Sequence, residues 1–142
     1  MECLFCEFIS KKRKFHESSL KGKYPLIPVY ENKSVFAFLS HPDNNHETHL
    51  LIIPKNHYKF IEDIPKKELC ELISIAAKIS RIIRKKYSGC KIIQNNGVDA
   101  GQYEDHVHFH LVPMKKNKVV WLNLSIAKFK SLSGTIKKEI SK

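Results

Sequence analysis

The chain has 142 residues, 42% of them hydrophobic and 27% charged, and Lys and Arg outnumber Asp and Glu by 25 to 14 for a formal charge of +11. This length encloses one sizeable core and argues against a two-domain organisation, while the balance of residue types excludes a disordered chain. No apolar run approaches the roughly 20 residues that span a bilayer, and the excess cations favour anionic partners, phosphates being the commonest.

The amino-terminal MECLFCEFIS lacks the basic-then-apolar layout of a secretory signal, so the expected compartment is the cytoplasm. The cysteines fit a reducing compartment, because only Cys3 and Cys6 are closely spaced and Cys70 and Cys90 stand alone as small buried or neutral thiols. Further along, β-branched and aromatic residues from Ile27 to Glu31 and from Ser34 to Leu39, separated by Asn32 and Lys33, predict a hairpin. The polar connection HPDNNHET then leads into the apolar run HLLIIP, a central strand by composition, ended by Pro54.

Pro65 suits the first turn of a helix. Leu69, Leu72, Ile73, Ala76, Ile79 and Ile83 follow at three- and four-residue intervals until Gly89, which predicts one long amphipathic helix. Two strands come next, Lys91 to Gln94 and His106 to Val112, enclosing the loop NNGVDAGQYED. From about Leu122 a short lysine-rich helix is expected, interrupted at Ser133 and Gly134, and the role of residues 114–142 stays open. The fold class expected is α+β: an antiparallel sheet of about five strands with the long helix and shorter helices packed on one face.

The stretch HVHFHLVP, residues 106–113, carries the chemistry. Successive side chains of a strand point to opposite faces, so His106, His108 and His110 share one face while Val107, Phe109 and Leu111 share the other. Alternate imidazoles then stand about 7 Å apart along the strand. Imidazole near neutral pH either ligates a metal as the neutral ring or serves as a nucleophile and acid–base group.

The pattern resembles the signature of the histidine triad family, His-φ-His-φ-His-φ-φ with φ apolar. The resemblance extends through CLFC, VYENKSVFAFLS, THLLIIPKNHY and QNNGVDAGQ, covering roughly residues 3 to 113 in order, with the insert KKRKFHESSLKGK and the tail outside it. It implies a single domain and an enzyme acting at the α-phosphate of a nucleoside phosphate or dinucleoside polyphosphate, with adenine nucleotides favoured and a homodimer paired through the long helix and an edge strand. His108 is then the nucleophile that forms a covalent nucleotidyl-histidine, its other nitrogen held by a fixed acceptor such as a backbone carbonyl. His110 stabilises developing charge. Gln102 contacts the leaving or bridging oxygens, Asn95 contacts phosphate, and Gly97 and Gly101 let the backbone pass close to the ligand. Phe8, Ile9, Phe36, Phe38 and Leu51 are the candidates for an apolar base pocket.

Cys3 and Cys6 form a C-x2-C pair able to approach one zinc ion from a tight turn. By the resemblance, His49 and His106 complete a structural Cys2His2 set, with His46 as a rival to His49. The resemblance also leaves His49 a second assignment, lining the nucleotide site. His57 reads as a surface or packing residue, and His16 and His41 as loop residues.

Two departures from the family pattern bear on specificity. Ser40 stands where the family usually carries an Asp for the ribose, with Asp43 displaced into the loop, and Tyr103, Glu104 and Asp105 replace small hydroxyl and apolar residues before the triad. The two carboxylates are expected to face solvent, since they would repel phosphate. Removal of adenylate from a nucleic-acid end is the second enzymatic reading. It is raised by the positive charge and weakened by the lack of a recognisable DNA-binding module. A nucleotide-binding sensor with incidental catalysis is the third.

Overall fold

The computed structural model describes residues 3–18, 22–40, 48–121 and 124–142. Its elements are α1 (Leu4–Ile9), β1 (Phe15–Ser18), β2 (Gly22–Pro25), β3 (Pro28–Glu31), β4 (Val35–Leu39), β5 (Leu50–Pro54), α2 (Lys66–Lys86), β6 (Gly89–Gln94), β7 (Phe109–Lys115), β8 (Lys118–Val119) and α3 (Ile126–Ser141). β3 to β7 form an antiparallel sheet in the order β3-β4-β5-β7-β6, and β8 folds back on the end of β7. β1 and β2 make a separate hairpin from the insert that lay outside the resemblance.

The central strands explain the architecture. VFAFL of β4 and LLIIP of β5 are buried at every position. A strand that is apolar on both sides has to be covered on both sides. Val35, Ala37, Leu39, Leu50 and Ile52 join the core formed with the two long helices, while Phe36, Phe38, Leu51 and Ile53 pack with Phe5 and Phe8 of α1 on the opposite face. The long helices therefore share one face, and the short α1 packs on the other, with His16 of β1 beside it.

α2 runs 21 residues and buries Leu72, Ala76, Ile79 and Ile83 at intervals of four, three and four. Ile73, part of the predicted stripe, lies off this line and is exposed. Arg84, Lys85 and Lys86 fill the last turn, where cations complement the helix dipole. Among the described residues, no helix is long and apolar enough to cross a membrane.

Three expectations need correction. The predicted strand from His106 begins at Phe109; residues 106–108 are a lead-in held by the Val107 N–H donating to the Tyr58 carbonyl at 2.8 Å. The carboxy-terminal helix is not interrupted at Ser133 and Gly134 but runs unbroken to Ser141, capped by the Ser125 side chain accepting from the Lys128 N–H. Its burial of Phe129, Ile136 and Ile140 outweighs a helical glycine's penalty of about 1 kcal/mol. His16 is not in a loop: it lies in β1, buried among the rings of Phe8, Tyr24, Phe38 and Phe129. Tyr24 in turn donates its hydroxyl to the Leu124 carbonyl at 2.7 Å, tying the insert to the start of α3. His41, Asp43 and His46 lie outside the described residues.

Phe129 is 0% exposed and meets Tyr24 edge-on at 5.0 Å between ring centroids. Phe129→Ala is expected to lower stability by about 3–5 kcal/mol, the usual cost of emptying a buried aromatic site. Urea denaturation followed by far-UV circular dichroism measures it, and a loss under about 1 kcal/mol would show that the tail is not part of the core.

Candidate functional site

Val107, Phe109 and Leu111 enter the core beneath the long helices. Alternation therefore turns His106, His108 and His110 to the face that α1 covers. There His106 is 0% and His108 7% exposed, and the Phe5 ring stands edge-on to both, at 5.6 and 5.2 Å between centroids. Each of these two imidazoles meets a backbone carbonyl: His106 Nε2 lies 2.8 Å from the Pro54 oxygen and His108 Nδ1 lies 2.9 Å from the His106 oxygen. A carbonyl only accepts, so both ring nitrogens must donate. The lone pairs that remain are on Nδ1 of His106 and Nε2 of His108.

Burial also keeps these rings neutral. It pushes the His106 pKa down to about 4 and lowers that of His108 as well, against the opposing pull of the two carbonyl bonds. His110 is less enclosed and faces another imidazole, its Nδ1 lying 2.7 Å from His49 Nε2. His49 Nδ1 is 3.3 Å from the Ser40 hydroxyl, which also accepts the His49 backbone N–H at 3.1 Å. With the serine donating to Nδ1, His49 donates onward from Nε2, and His110 retains an N–H at its own Nε2. Ser40 thus orients an imidazole chain at the position where a ribose-binding carboxylate was missing.

A cavity of about 440 Å³ opens beside these rings, lined by His49, His108 and His110 together with Asn95, Gly101, Tyr103 and residues of β6, β7 and β8. The loop between β6 and the triad shapes its edge. Gly97 and Gly101 have φ of 96° and 91°, a region that L side chains rarely adopt, and a Cβ on Gly101 would come within 3.4 Å of the Asn95 amide. The neighbouring Asn96 anchors the loop by accepting from the Ile61 N–H at 2.8 Å.

The sequence-predicted residues divide. His108, His110, Asn95 and Gly101 meet at the cavity. Gln102 does not line it: the amide donates to the carbonyls of Lys59 and Glu104 at 2.8 and 3.0 Å and its oxygen accepts the Gly97 N–H at 2.7 Å, so it braces the loop from within. Phe36 and Phe38 do not line it either, because Phe5 and Phe8 have closed over them. Asp105 turns outward toward Lys59, 3.6 Å away, in keeping with the expectation that it faces solvent. Glu104 is half-buried, and desolvation together with Asp105 raises its pKa. Tyr103 is 81% exposed at the cavity rim.

A second cluster lies on the far side of His106. Its Nδ1 is 3.4 Å from Cys3 Sγ and 3.6 Å from Cys6 Sγ, and Cys6 Sγ is 3.4 Å from His57 Nδ1. All four donor atoms fall within 4.8 Å of one another. Metal–sulfur and metal–nitrogen bonds of about 2.3 and 2.0–2.1 Å at tetrahedral angles make sulfur–nitrogen edges of about 3.5 Å, so the set fits a four-coordinate ion. The Pro54 carbonyl supplies the outer hydrogen bond that fixes such a ligand's tautomer. Burial, with Cys3 beside it, pushes the Cys6 thiol up to about 11.

His49, expected in this set, lies just before β5 and against His110 instead, and His57 stands with the cysteines and His106. His57 was missed because it is exposed and follows a strand end in an ordinary turn. No local pattern marks it, since the bond of His106 to the Pro54 carbonyl, three residues before His57, is made only in the folded chain.

A family model for the HIT domain matches residues 21–117. The chain belongs to the histidine triad, or HIT, family. It is 37% identical over 112 residues to an uncharacterised HIT-like protein of Methanocaldococcus jannaschii, covering 78% of each chain. It is 32% identical over 119 residues to an adenosine 5'-monophosphoramidase of Candida albicans, covering 80% of this chain and 70% of that one. The fold is also that of a zinc-bound histidine triad family protein from Mycobacterium smegmatis, with a TM-score of 0.76, 23% identity and coverage of 99% and 94%. Cys3 and Cys6 precede the matched HIT span, so the cysteine–histidine cluster joins residues outside that span to two within it.

Gln102→Ala is expected to cost about 1–3 kcal/mol, because it leaves buried backbone groups without partners. Urea denaturation checks this, and a loss under about 0.5 kcal/mol would assign Gln102 no bracing role.

Proposed function

We propose that this HIT enzyme hydrolyses a nucleoside phosphate conjugate at its α-phosphate through a covalent intermediate on His108. The observation that carries the reading is the His108 Nδ1 bond to the His106 carbonyl, which keeps the lone pair on Nε2 at the cavity. Nε2 attacks phosphorus, a P–N bond forms, the bond to the leaving group breaks, and its electron pair departs with the leaving group. Water then attacks the same phosphorus and gives up a proton to solvent, a P–O bond forms, the P–N bond breaks with its electron pair returning to Nε2, and the nucleotide leaves with His108 neutral again. His110 donates from Nε2 to a non-bridging phosphate oxygen, oriented by His49 and Ser40, and Asn95 offers its amide to another. Adenine nucleotides are the favoured substrates, in keeping with the named activity of the Candida albicans relative.

Cys3, Cys6, His57 and His106 would hold a structural zinc ion. When bound, it would replace the thiol protons and tie the amino-terminal segment to the residues around β5 and β7. The likeness to the zinc-bound mycobacterial structure supports the metal's identity. A homodimer through α2 and β6 is supported by the edge position of β6 and by the exposed Ile73 and Ile92 on these two elements.

Brief incubation with adenosine phosphoramidate labelled at phosphorus, followed by denaturation, is expected to leave one nucleotidyl group on His108. His108→Ala is expected to carry no label and to lose at least about 10³-fold in kcat; label on any other residue would overturn the mechanism. Zinc content after dialysis is expected to stay near one equivalent in His49→Ala and to fall in His57→Ala, and the reverse order would restore His49 as the ligand.

A further inference from the structure

The cavity is not symmetric about the histidines. On the side of Phe36 and Phe38 the sheet face is closed by α1. On the other side the cavity continues over β6, β7 and β8, where Ile93 pairs with His110, Lys91 with Val112 and Val119 with Met114. Lys91 is thus two residues from Ile93 on the same face, about 7 Å along the strand. A group attached to the reacting phosphorus would lie against apolar side chains and come within reach of one flexible ammonium.

Charge is one-sided there. No carboxylate lines the cavity among the described residues, and Lys91 pairs with none of theirs. The turn from β7 into β8 adds the exposed Lys115, Lys116 and Lys118 at the far end. The apolar walls of Ile93, Val112, Met114 and Val119 strengthen the field of a single cation over its value in open water. An amine leaving group that departs protonated would meet repulsion in this environment.

We propose that Lys91 is a specificity-determining residue that selects nucleotide conjugates whose leaving group is itself anionic, such as a phosphate, sulfate or carboxylate. The inference rests on the α-phosphate chemistry proposed above. When the P–X bond breaks, its electron pair adds negative charge to a group X that already carries some, and the Lys91 ammonium counters that growth while His110 serves the phosphorus side. The same contact is not available to a neutral or cationic X.

The test compares kcat/KM for diadenosine tetraphosphate and adenylylsulfate with that for adenosine phosphoramidate, in the wild type, Lys91→Glu and Lys91→Arg. The ratio of each anionic-leaving-group substrate to phosphoramidate is expected to fall at least tenfold in Lys91→Glu and to stay within about threefold of wild type in Lys91→Arg. It is also expected to shrink with rising salt in the wild type, as screening weakens an exposed cation. A ratio unchanged by charge reversal overturns the assignment even if all substrates turn over. A wild type that turns over none of the three overturns the hydrolase reading, and this inference with it.

Discussion

The alternation of side chains along residues 106–111 is the constraint on which the site depends. Burial of Val107, Phe109 and Leu111 under the long helices leaves the imidazoles no freedom of face. The backbone that carries them also supplies their acceptors: the His106 carbonyl holds His108, and the Pro54 carbonyl at the end of the neighbouring strand holds His106. A slip of one residue in this pairing would send the histidines into the core and the aliphatic residues into the cavity. The tautomers of His106 and His108 therefore follow from the backbone path of the lead-in to β7.

The three imidazoles consequently occupy three environments. His106 sits deepest and turns its lone pair toward Cys3, Cys6 and His57; His108 sits at the cavity wall with Nδ1 held by the His106 carbonyl; His110 is the least enclosed and leans on His49. Burial lowers the pKa of the first two, which suits the proposed metal ligand and the proposed nucleophile, since both need an unprotonated nitrogen. Chemical identity is the same at all three positions, and position along one strand separates their roles.

The amino-terminal helix links the cavity wall and the cysteine–histidine cluster. Phe5 and Phe8 cover Phe36 and Phe38, and Phe5 abuts both His106 and His108. The flanking thiols of Cys3 and Cys6 approach His106 from the same short segment. A helix of six residues has little stability of its own. Its apolar contacts and the cysteine–histidine cluster together hold it against the sheet, and in doing so they close one end of the histidine face and leave the Lys91 end open.

The chain itself determined what depends on local period and composition. The two-residue alternation through 106–111, the apolar run ending at Pro54 and the three- and four-residue spacing from Leu69 to Ile83 reflect local period, so the α+β class and the shared face of the histidines were legible without coordinates, although Ile73 of that stripe is exposed. Tertiary structure decided what depends on distant segments meeting. It brought His57 rather than His49 to the cysteines, turned Gln102 inward onto backbone groups, filled the expected Phe36 and Phe38 pocket with α1, and ran α3 straight through Gly134. Each of these outcomes is set by packing and hydrogen-bond satisfaction across long separations, and no local pattern of residues encodes them.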